Sequence, residues 1–267
     1  DTQVGKIEIS DHQVVLVSRN DNIKLICPEN DQRTTFIESL NFGSYEKEET
    51  QMILDLMEED FNFFDIGANL GWYTIKIAKF IKGVHIFSFE PIPETFLLLK
   101  ENLKINNVRN AQIFNLGLAD ENKKTNFYFY DKGSGNASLK NLSRKLGIKK
   151  ISAQIMKLDD FVKEKRVKID FIKCDAEGAE ILVFRGGFVT IGRDKPMIMV
   201  EMLRKWTAKF DYYPNETIRL LEELGYKCFS IKKKKLKEFT KMDEQTEETN
   251  FIFLHKEKHQ KQIKKLT

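Results

Sequence analysis

Cysteine and histidine are scarce in this chain of 267 residues. Its three cysteines, Cys27, Cys174 and Cys228, are odd in number and far apart, with no Cys-x-x-Cys. That pattern argues against a disulfide framework and predicts buried thiols in a reducing compartment, hence a cytoplasmic protein. The four histidines show no ligand spacing, so no His-based metal site is expected. No apolar run approaches membrane-spanning length, and no opening stretch is patterned like a signal peptide. The chain begins at Asp1 rather than Met, which predicts a missing upstream segment. Net charge is only +4, so no global field calls for nucleic acid. The Gly-x-Gly-x-x-Gly of a dinucleotide site and the Gly-Lys-Ser/Thr of a P-loop are both missing.

What is present is an ordered series. Phe61 to Ile66 reads as a buried strand, Gly67 to Gly71 as a glycine turn, and 71–81 as a helix. His85 to Phe89 reads as a second strand that ends in Glu90. The turn is Asp65-x-Gly67-x-x-x-Gly71, the wrong spacing for a pyrophosphate. It suits S-adenosylmethionine, which presents a carboxylate, an ammonium and a sulfonium but no phosphate. Gly67 lets backbone approach the amino-acid end. Asp65 is expected to face the ammonium, and Glu90 to accept both ribose hydroxyls.

Residues 6–26 carry three β-rich runs, read as a small antiparallel extension, and 46–59 an amphipathic helix with Glu46 in its first turn. Strand and helix patterns then alternate, predicting an α/β domain with a mostly parallel sheet. The third strand is 111–115, the fourth 169–175 and the fifth 196–201. Pro214 opens a helix capped by Gly225, and 226–231 and 250–254 read as strands joined by a charged loop. The expected organisation is an N-terminal extension over 1–60, a main domain over 61–256 and a frayed basic tail over 257–267. Residues 120–158 interrupt the rhythm and are read as a substrate-side flap, with a flexible loop at 133–138. Asp159 and Asp160 read as a cap for a short helix. Lys232-Lys233-Lys234-Lys235 reads as a solvated hairpin tip rather than a polyanion site.

Four segments together resemble the FkbM-type family of S-adenosylmethionine-dependent methyltransferases, over about 45–202. They are Tyr45-Glu46; Phe64-Asp65-Ile66-Gly67-Ala68-Asn69-Leu70-Gly71-Trp72-Tyr73-Thr74; Phe89-Glu90-Pro91; and Leu158-Asp159-Asp160-Phe161 with Asp170-Phe171-Ile172-Lys173-Cys174-Asp175-Ala176-Glu177-Gly178-Ala179-Glu180. The last is close to the family's Lys-Ile-Asp-Val-Glu-Gly-x-Glu signature, with Cys174 and Ala176 in place of its branched residues. The resemblance implies a class I methyltransferase fold, a Rossmann-like sheet with a C-terminal antiparallel hairpin strand. It also implies O-methylation of a sugar, glycan or other small-molecule acceptor.

In an open parallel sheet, ligands sit beyond the carboxyl ends of the strands. Asp65, Glu90, Asn115, Asp175 and Glu201 all fall at or near such ends. Asp65, Gly67, Ala68, Asn69 and Gly71 are expected to hold the methionine portion. Glu90 takes the ribose, Pro91 shapes its turn, and Asn115 and Leu116 border the adenine. Asp175 and Glu177 are the candidates for aligning and deprotonating the acceptor. Strand alternation puts Lys173 on the face of Asp175, as a base or as a charge that lowers the acceptor's pKa. Glu180 is expected to pack or cap. Asp175, Glu177 and Glu201 carry oxygens that suit a magnesium-like ion, yet no metal is expected. Two other readings stay open: an RNA ribose 2′-O-methyltransferase, and a non-catalytic binding module on the same fold. An amino-group nucleobase methylase is disfavoured, because Asp175-Ala176-Glu177-Gly178 replaces its Asn/Asp-Pro-Pro-Tyr/Phe. No aromatic-basic RNA module is evident, so nucleic acid is not the expected partner.

Overall fold

The computed structural model describes residues 2–28, 39–40, 43–130, 137–142 and 148–267. The first elements are β1 (Val4–Ile9), β2 (Val14–Ser18) and β3 (Lys24–Cys27), a small antiparallel sheet in that order. Helix α1 (Lys47–Leu56) leads into β4 (Asn62–Ile66), α2 (Trp72–Phe80), β5 (His85–Phe89), α3 (Pro93–Ile105) and β6 (Ala111–Phe114). Next come β7 (Gly117–Ala119), β8 (Lys123–Tyr130), β9 (Ile148–Lys157) and α4 (Leu158–Lys165). The alternation resumes with β10 (Phe171–Cys174), α5 (Glu180–Gly186), α6 (Phe188–Asp194) and β11 (Met197–Glu201). The chain continues through α7 (Arg204–Thr207), α8 (Pro214–Glu223), β12 (Tyr226–Lys232), β13 (Lys235–Glu238), β14 (Asn250–His255) and α9 (Gln260–Leu266).

Among the described residues the main sheet has eight strands in the order β13-β12-β14-β11-β10-β4-β5-β6. Strands β11, β10, β4, β5 and β6 run parallel, and β14 lies antiparallel between β11 and β12. This is the α/β architecture that the alternation predicts.

The central strands are buried on both faces, which is why they read as near-continuous apolar runs. Their side chains alternate between two core layers. Phe63, Phe171, Met197, Met199 and Ile252 face a layer shared with α1, α2 and the N-terminal sheet. Phe64, Ile66, Phe87, Phe89, Ile172, Val200 and Phe251 face a layer shared with α4, α5 and α8. Phe161 of α4 meets Phe64, Phe89 and Phe114 edge-on, with ring centroids 4.8–6.0 Å apart. Edge-to-face contacts at such distances are the favoured aromatic geometry.

The N-terminal sheet is sewn to α3. Asn106 accepts from the Lys24 N–H (2.9 Å) and donates to the Lys24 carbonyl (2.6 Å). Asn102 accepts from the Ile26 N–H (2.8 Å) and donates to the Leu70 carbonyl (2.9 Å).

Several expectations are corrected. Residues 260–266 form helix α9 rather than a frayed tail, because Leu266 is buried and Ile263 packs on the first core layer. The interval between the last two predicted strands holds a further strand, β13, paired with β12. The interval 120–158 holds the strands that its 126–130 and 151–158 patterns suggest, and β7, β9 and β8 pair in that order as a separate sheet. Of the loop predicted at 133–138, residues 133–136 lie outside the described residues. Asp159 does not cap its own helix. It sits in the first turn of α4 and accepts from the Val189 and Thr190 N–H groups at the start of α6. Among the described residues no helix is long and apolar enough to cross a membrane.

Candidate active site

The turn after β4 is tight because of what lies above it. A Cβ on Gly67 would sit 1.8 Å from the Asp175 carbonyl oxygen, and Gly67 has φ +77°. Only glycine tolerates both demands. The Gly67 and Ala68 N–H groups both donate to the Phe89 carbonyl, at 3.0 and 2.9 Å. Those bonds draw the turn against the end of β5, where Glu90 follows. One Glu90 oxygen accepts the Asn69 N–H (3.1 Å) and the other accepts the Ile92 N–H (2.9 Å). The carboxyl is thus fixed in orientation. Burial pushes its pKa up to about 7, against the pull of those two N–H groups.

Glu90 opens into a cavity of about 300 Å³. Small-molecule sites run from roughly 300 to 1,000 Å³. Of the sequence-predicted residues, Gly67, Asn69, Glu90, Pro91, Asp175 and Glu177 line this cavity. The remaining six, Asp65, Ala68, Gly71, Asn115, Leu116 and Lys173, do not form its wall.

The reasons are local. Asp65 is buried behind the turn, where one oxygen accepts the Thr74 N–H (3.1 Å) and hydroxyl (2.6 Å), so it pins α2 rather than facing the cavity. Ala68 is buried, and Gly71 starts α2 with φ +90°. Asn115 donates to the carbonyls of Glu90 and Pro91, at 2.9 and 3.1 Å, and so braces the turn that carries the acid. Leu116 packs on the second core layer.

Lys173 lies beneath the floor. Its ammonium donates to Asp175 (3.3 Å) and to the Gly67 carbonyl (3.4 Å), and sits 5.2 Å from the Tyr73 ring centre. Burial works against its charge. Asp175, Asp65, Glu46 and Glu201 outweigh that effect and raise its pKa above the usual lysine value. Its raised pKa and its place outside the cavity wall favour the second of its two expected roles, a charge that lowers the acceptor's pKa, over that of a base. It can still bind charge.

The turn after β10 completes the wall. Glu177 is left-handed (φ 50°) and Gly178 follows at φ +95°. Glu180 holds this bend: one oxygen accepts the N–H of both Ala176 (3.0 Å) and Gly178 (2.9 Å), and the other accepts the Tyr212 hydroxyl (3.2 Å). Burial raises the Glu177 pKa well above the carboxylate range, helped by Asp175 and Glu180. Ser138 donates to the Glu177 carbonyl (2.8 Å), so the segment after β8 reaches this turn.

Two acids of the wall were missed as site residues. Glu46 is the residue before α1 rather than part of its first turn, and its φ of 37° swings it toward the cavity. It accepts the Tyr73 hydroxyl at 2.5 Å, and burial pushes its pKa up to about 7. Glu201, at the end of β11, lines the cavity beside Asp175, and burial with that neighbour raises its pKa well above normal. Trp206 and Lys205 stand near it, the ammonium 4.3 Å from the ring centre. The position of Glu201 at a strand end was a usable signal, and so was the place of Glu46 in the Tyr45-Glu46 segment of the resemblance; the backbone twist that turns it toward the cavity was not legible. Among the described residues no group of acids, histidines or cysteines is arranged to hold a metal ion.

The chain is similar to Methyltransferase 1 of Beauveria bassiana (strain ARSEF 2860), 28% identical over 146 residues, which is 48% of this chain and 59% of that protein. The chain therefore spans somewhat over half of that curated relative. A crystal structure of methyltransferase FkbM from Methylobacillus flagellatus KT overlaps with 74% of this chain and 44% of its own, at 14% identity and a TM-score of 0.47. A precorrin-6y C5,15-methyltransferase from Geobacter metallireducens GS-15 overlaps with 79% of this chain and 87% of its own, at 14% identity and a TM-score of 0.42. The methyltransferase FkbM domain model matches residues 65–228, from the buried acid of β4 into β12, and takes in Glu90, Asp175, Glu177 and Glu201. The chain belongs to the methyltransferase FkbM domain family.

Proposed function

We propose that this protein transfers a methyl group from S-adenosylmethionine to a hydroxyl of a sugar, glycan or other small acceptor. The observation that carries the reading is Glu90. Its two oxygens each accept one backbone N–H and keep lone pairs toward the same cavity that Gly67 and Asn69 line. A carboxylate so braced suits a ribose diol.

The Asn69 side-chain oxygen and one oxygen each of Asp175 and Asp65 are buried without a hydrogen-bond partner, and Asn69 and Asp175 line the cavity. Unpartnered buried acceptors call for a donor. An ammonium and a diol supply donors, and a phosphate does not. The set therefore fits S-adenosylmethionine, with Gly67 and Asn69 at its amino-acid end and Glu90 at its ribose. When bound, that group supplies a methyl carbon activated by a sulfonium.

The chain's own residues do the rest. Asp175, tethered by Lys173, orients the acceptor hydroxyl. Glu177 lines the same wall and is placed to take its proton once ionised. Burial and the neighbouring acids favour its protonated form, so positive charge in the cavity is what favours the ionised form that can act as a base. The acid-rich wall disfavours a ribose flanked by phosphates, which sets the RNA reading second.

Calorimetry tests the cofactor assignment. Micromolar-scale binding of S-adenosylmethionine is expected for the wild type, and a large loss for Glu90→Ala; unchanged binding would overturn the ribose role. Asp175→Ala is expected to remove turnover more than cofactor binding. Normal turnover by that variant would end its catalytic role.

A further inference from the structure

The pocket and its rim carry opposite charge. Inside, Glu46, Glu90, Asp175, Glu177 and Glu201 form the wall, with Lys205 at its edge. A carboxylate or phosphate next to the reacting hydroxyl would have to enter among these acids. Burial already raises the pKa of Glu46, Glu90, Glu177 and Glu201, so a further anion there meets either repulsion from the ionised acids or the cost of keeping all of them protonated.

Outside, the C-terminal part of the chain is basic. Residues 226–267 hold twelve lysines and six acids, a net +6 against +4 for the whole chain. Strand pairing sets where this charge lies. Strand β12 is antiparallel to β14, which is antiparallel to β11, so β12 points the same way as β11. Glu201 pairs with Asn250, and Phe251 pairs with Ser230, so Ile231 lies level with the pocket acid Glu201. The turn Lys232–Lys235 therefore projects from the same sheet edge as the active site. Two strand spacings separate it from β11, about 10 Å.

The turn itself is unusual. Lys232 pairs with Lys235 across it, leaving Lys233 and Lys234 as a two-residue loop with φ of 50° and 66°. Such loops favour Asn-Gly, because left-handed backbone costs most side chains about 1–2 kcal/mol per residue. Here two lysines occupy these positions and present both ammoniums at the tip. Helix α9 adds to them. The carbonyl of Thr267, just after its end, accepts from the Lys235 ammonium (3.4 Å), and Leu266 packs in the same core layer as Leu236. That docking places Lys264 and Lys265, in the last turn of α9, beside the hairpin that carries Lys232–Lys235. Among the described residues Lys232 pairs with Glu248, while Lys233, Lys234, Lys264 and Lys265 are exposed and pair with no acid. The hairpin tip expected from the sequence is real, and its register puts it at the same end of the sheet as the pocket, two strands away from β11.

We propose that the acceptor is an anionic glycan. Its charged groups lie on the Lys233/Lys234 and Lys264/Lys265 rim, while an uncharged stretch bearing the methylated hydroxyl enters the acid-lined pocket. This assignment rests on the methyltransferase reading above. It deepens that reading by requiring charge about 10–15 Å from the reacting oxygen, the span from β11 to β12 or β13. RNA does not meet the requirement, because each 2′-hydroxyl has a phosphate on the adjacent carbon. No large apolar side chain is exposed within 226–267, which leaves the rim without the anchors of a membrane surface.

The test uses the full chain and fluorescein-labelled probes in anisotropy titrations: an oligogalacturonate, a heparin octasaccharide, neutral maltoheptaose and a single-stranded RNA 20-mer. The anionic glycans are expected to bind, more weakly as salt rises, and maltoheptaose not to bind. Lys233→Glu/Lys234→Glu and Lys264→Glu/Lys265→Glu should each weaken glycan binding at least tenfold. The equal charge change Lys82→Glu/Arg109→Glu, at the opposite end of the sheet, should alter it less than twofold. S-adenosylmethionine binding, followed by calorimetry, should be the same in every variant. Failure of both anionic glycans to bind, equal losses from rim and control variants, or tighter binding of RNA would each overturn the proposal. Absence of S-adenosylmethionine binding with glycan binding intact would instead overturn the methyltransferase reading, and the acceptor assignment with it.

Discussion

Gly67→Ala is the sharpest probe of how the site is held. The new methyl carbon would stand 1.8 Å from the Asp175 carbonyl oxygen, so the two must part by at least 1.2 Å to reach the 3.0 Å floor of real contacts. Neither side yields easily. The Asp175 N–H donates to Ile66 at 3.0 Å, and Gly67 is tied to Phe89 at 3.0 Å. The backbone also stays at φ +77° or its neighbours rearrange. Left-handed alanine costs about 1–2 kcal/mol and overpacking about 1–3 kcal/mol, so about 2–5 kcal/mol of stability is at stake. For a domain of this size that corresponds to a fall of about 5–15 °C in Tm. Calorimetric melting reads the fall, and titration with S-adenosylmethionine reads the pocket, where binding should drop at least tenfold. Gly83→Ala is the control. Its φ is +70° and its nearest neighbour is the movable Asp60 side chain, far from the cavity. It should lower Tm by less and leave binding intact. A Gly67→Ala protein with wild-type Tm and wild-type binding would refute the claim that this close approach shapes the site.

Three further outcomes are expected. The folded pKa of Glu46, Glu90 and Glu180 lies near 7 against an ordinary 4.5, so the folded state holds protons that the unfolded chain gives up. The stability from these groups is full below pH 4.5 and is lost as pH rises through 7; urea melts at pH 5 and pH 8 should differ by a few kcal/mol, on the order expected for such shifts, and equal stability would contradict it. Lys173→Met strands Asp175 and Asp65 without their cation and should cost about 3–5 kcal/mol at pH 7, read by urea denaturation; a neutral result would mean the lysine does not hold these acids. Leu266→Ala should cost about 2 kcal/mol because α9 is packed, and a melting curve identical to wild type would return the terminus to a frayed tail.

Much of this site could be read before any coordinates. Phe63 and Phe64 alternate between core layers, and the glycine after them could serve only a tight bend. Lys173 and Asp175 share a face because a strand has period two, and Glu90 closes β5 where a ribose acid belongs. The rest depended on facts that no local pattern carries. Asp65 looks like a cofactor ligand, yet it does not line the cavity, and one of its oxygens is spent on Thr74 while the other is buried without a partner. Asn115 sits at a strand end yet spends its amide on the Glu90 turn. Glu46 reaches the pocket through a single left-handed residue ahead of α1. The lysine tip was legible as a turn, but only the β11-β14-β12 register shows which end of the sheet it crowns. Helix α9 was hidden by its lysines, since two apolar residues, Ile263 and Leu266, are all that seat it.

The asparagine stitches between α3 and β3 bear on solubility. Strand β3 ends its sheet, and its outward amides at Lys24 and Ile26 would otherwise be free to recruit a strand from another molecule. Asn106 and Asn102 occupy those amides and so close the border against edge-to-edge aggregation. Apolar replacements at both positions would unlock it, and the same change would free the Leu70 carbonyl inside the cofactor bend. Self-association and a loosened turn beside the candidate pocket would then arise together from one pair of substitutions.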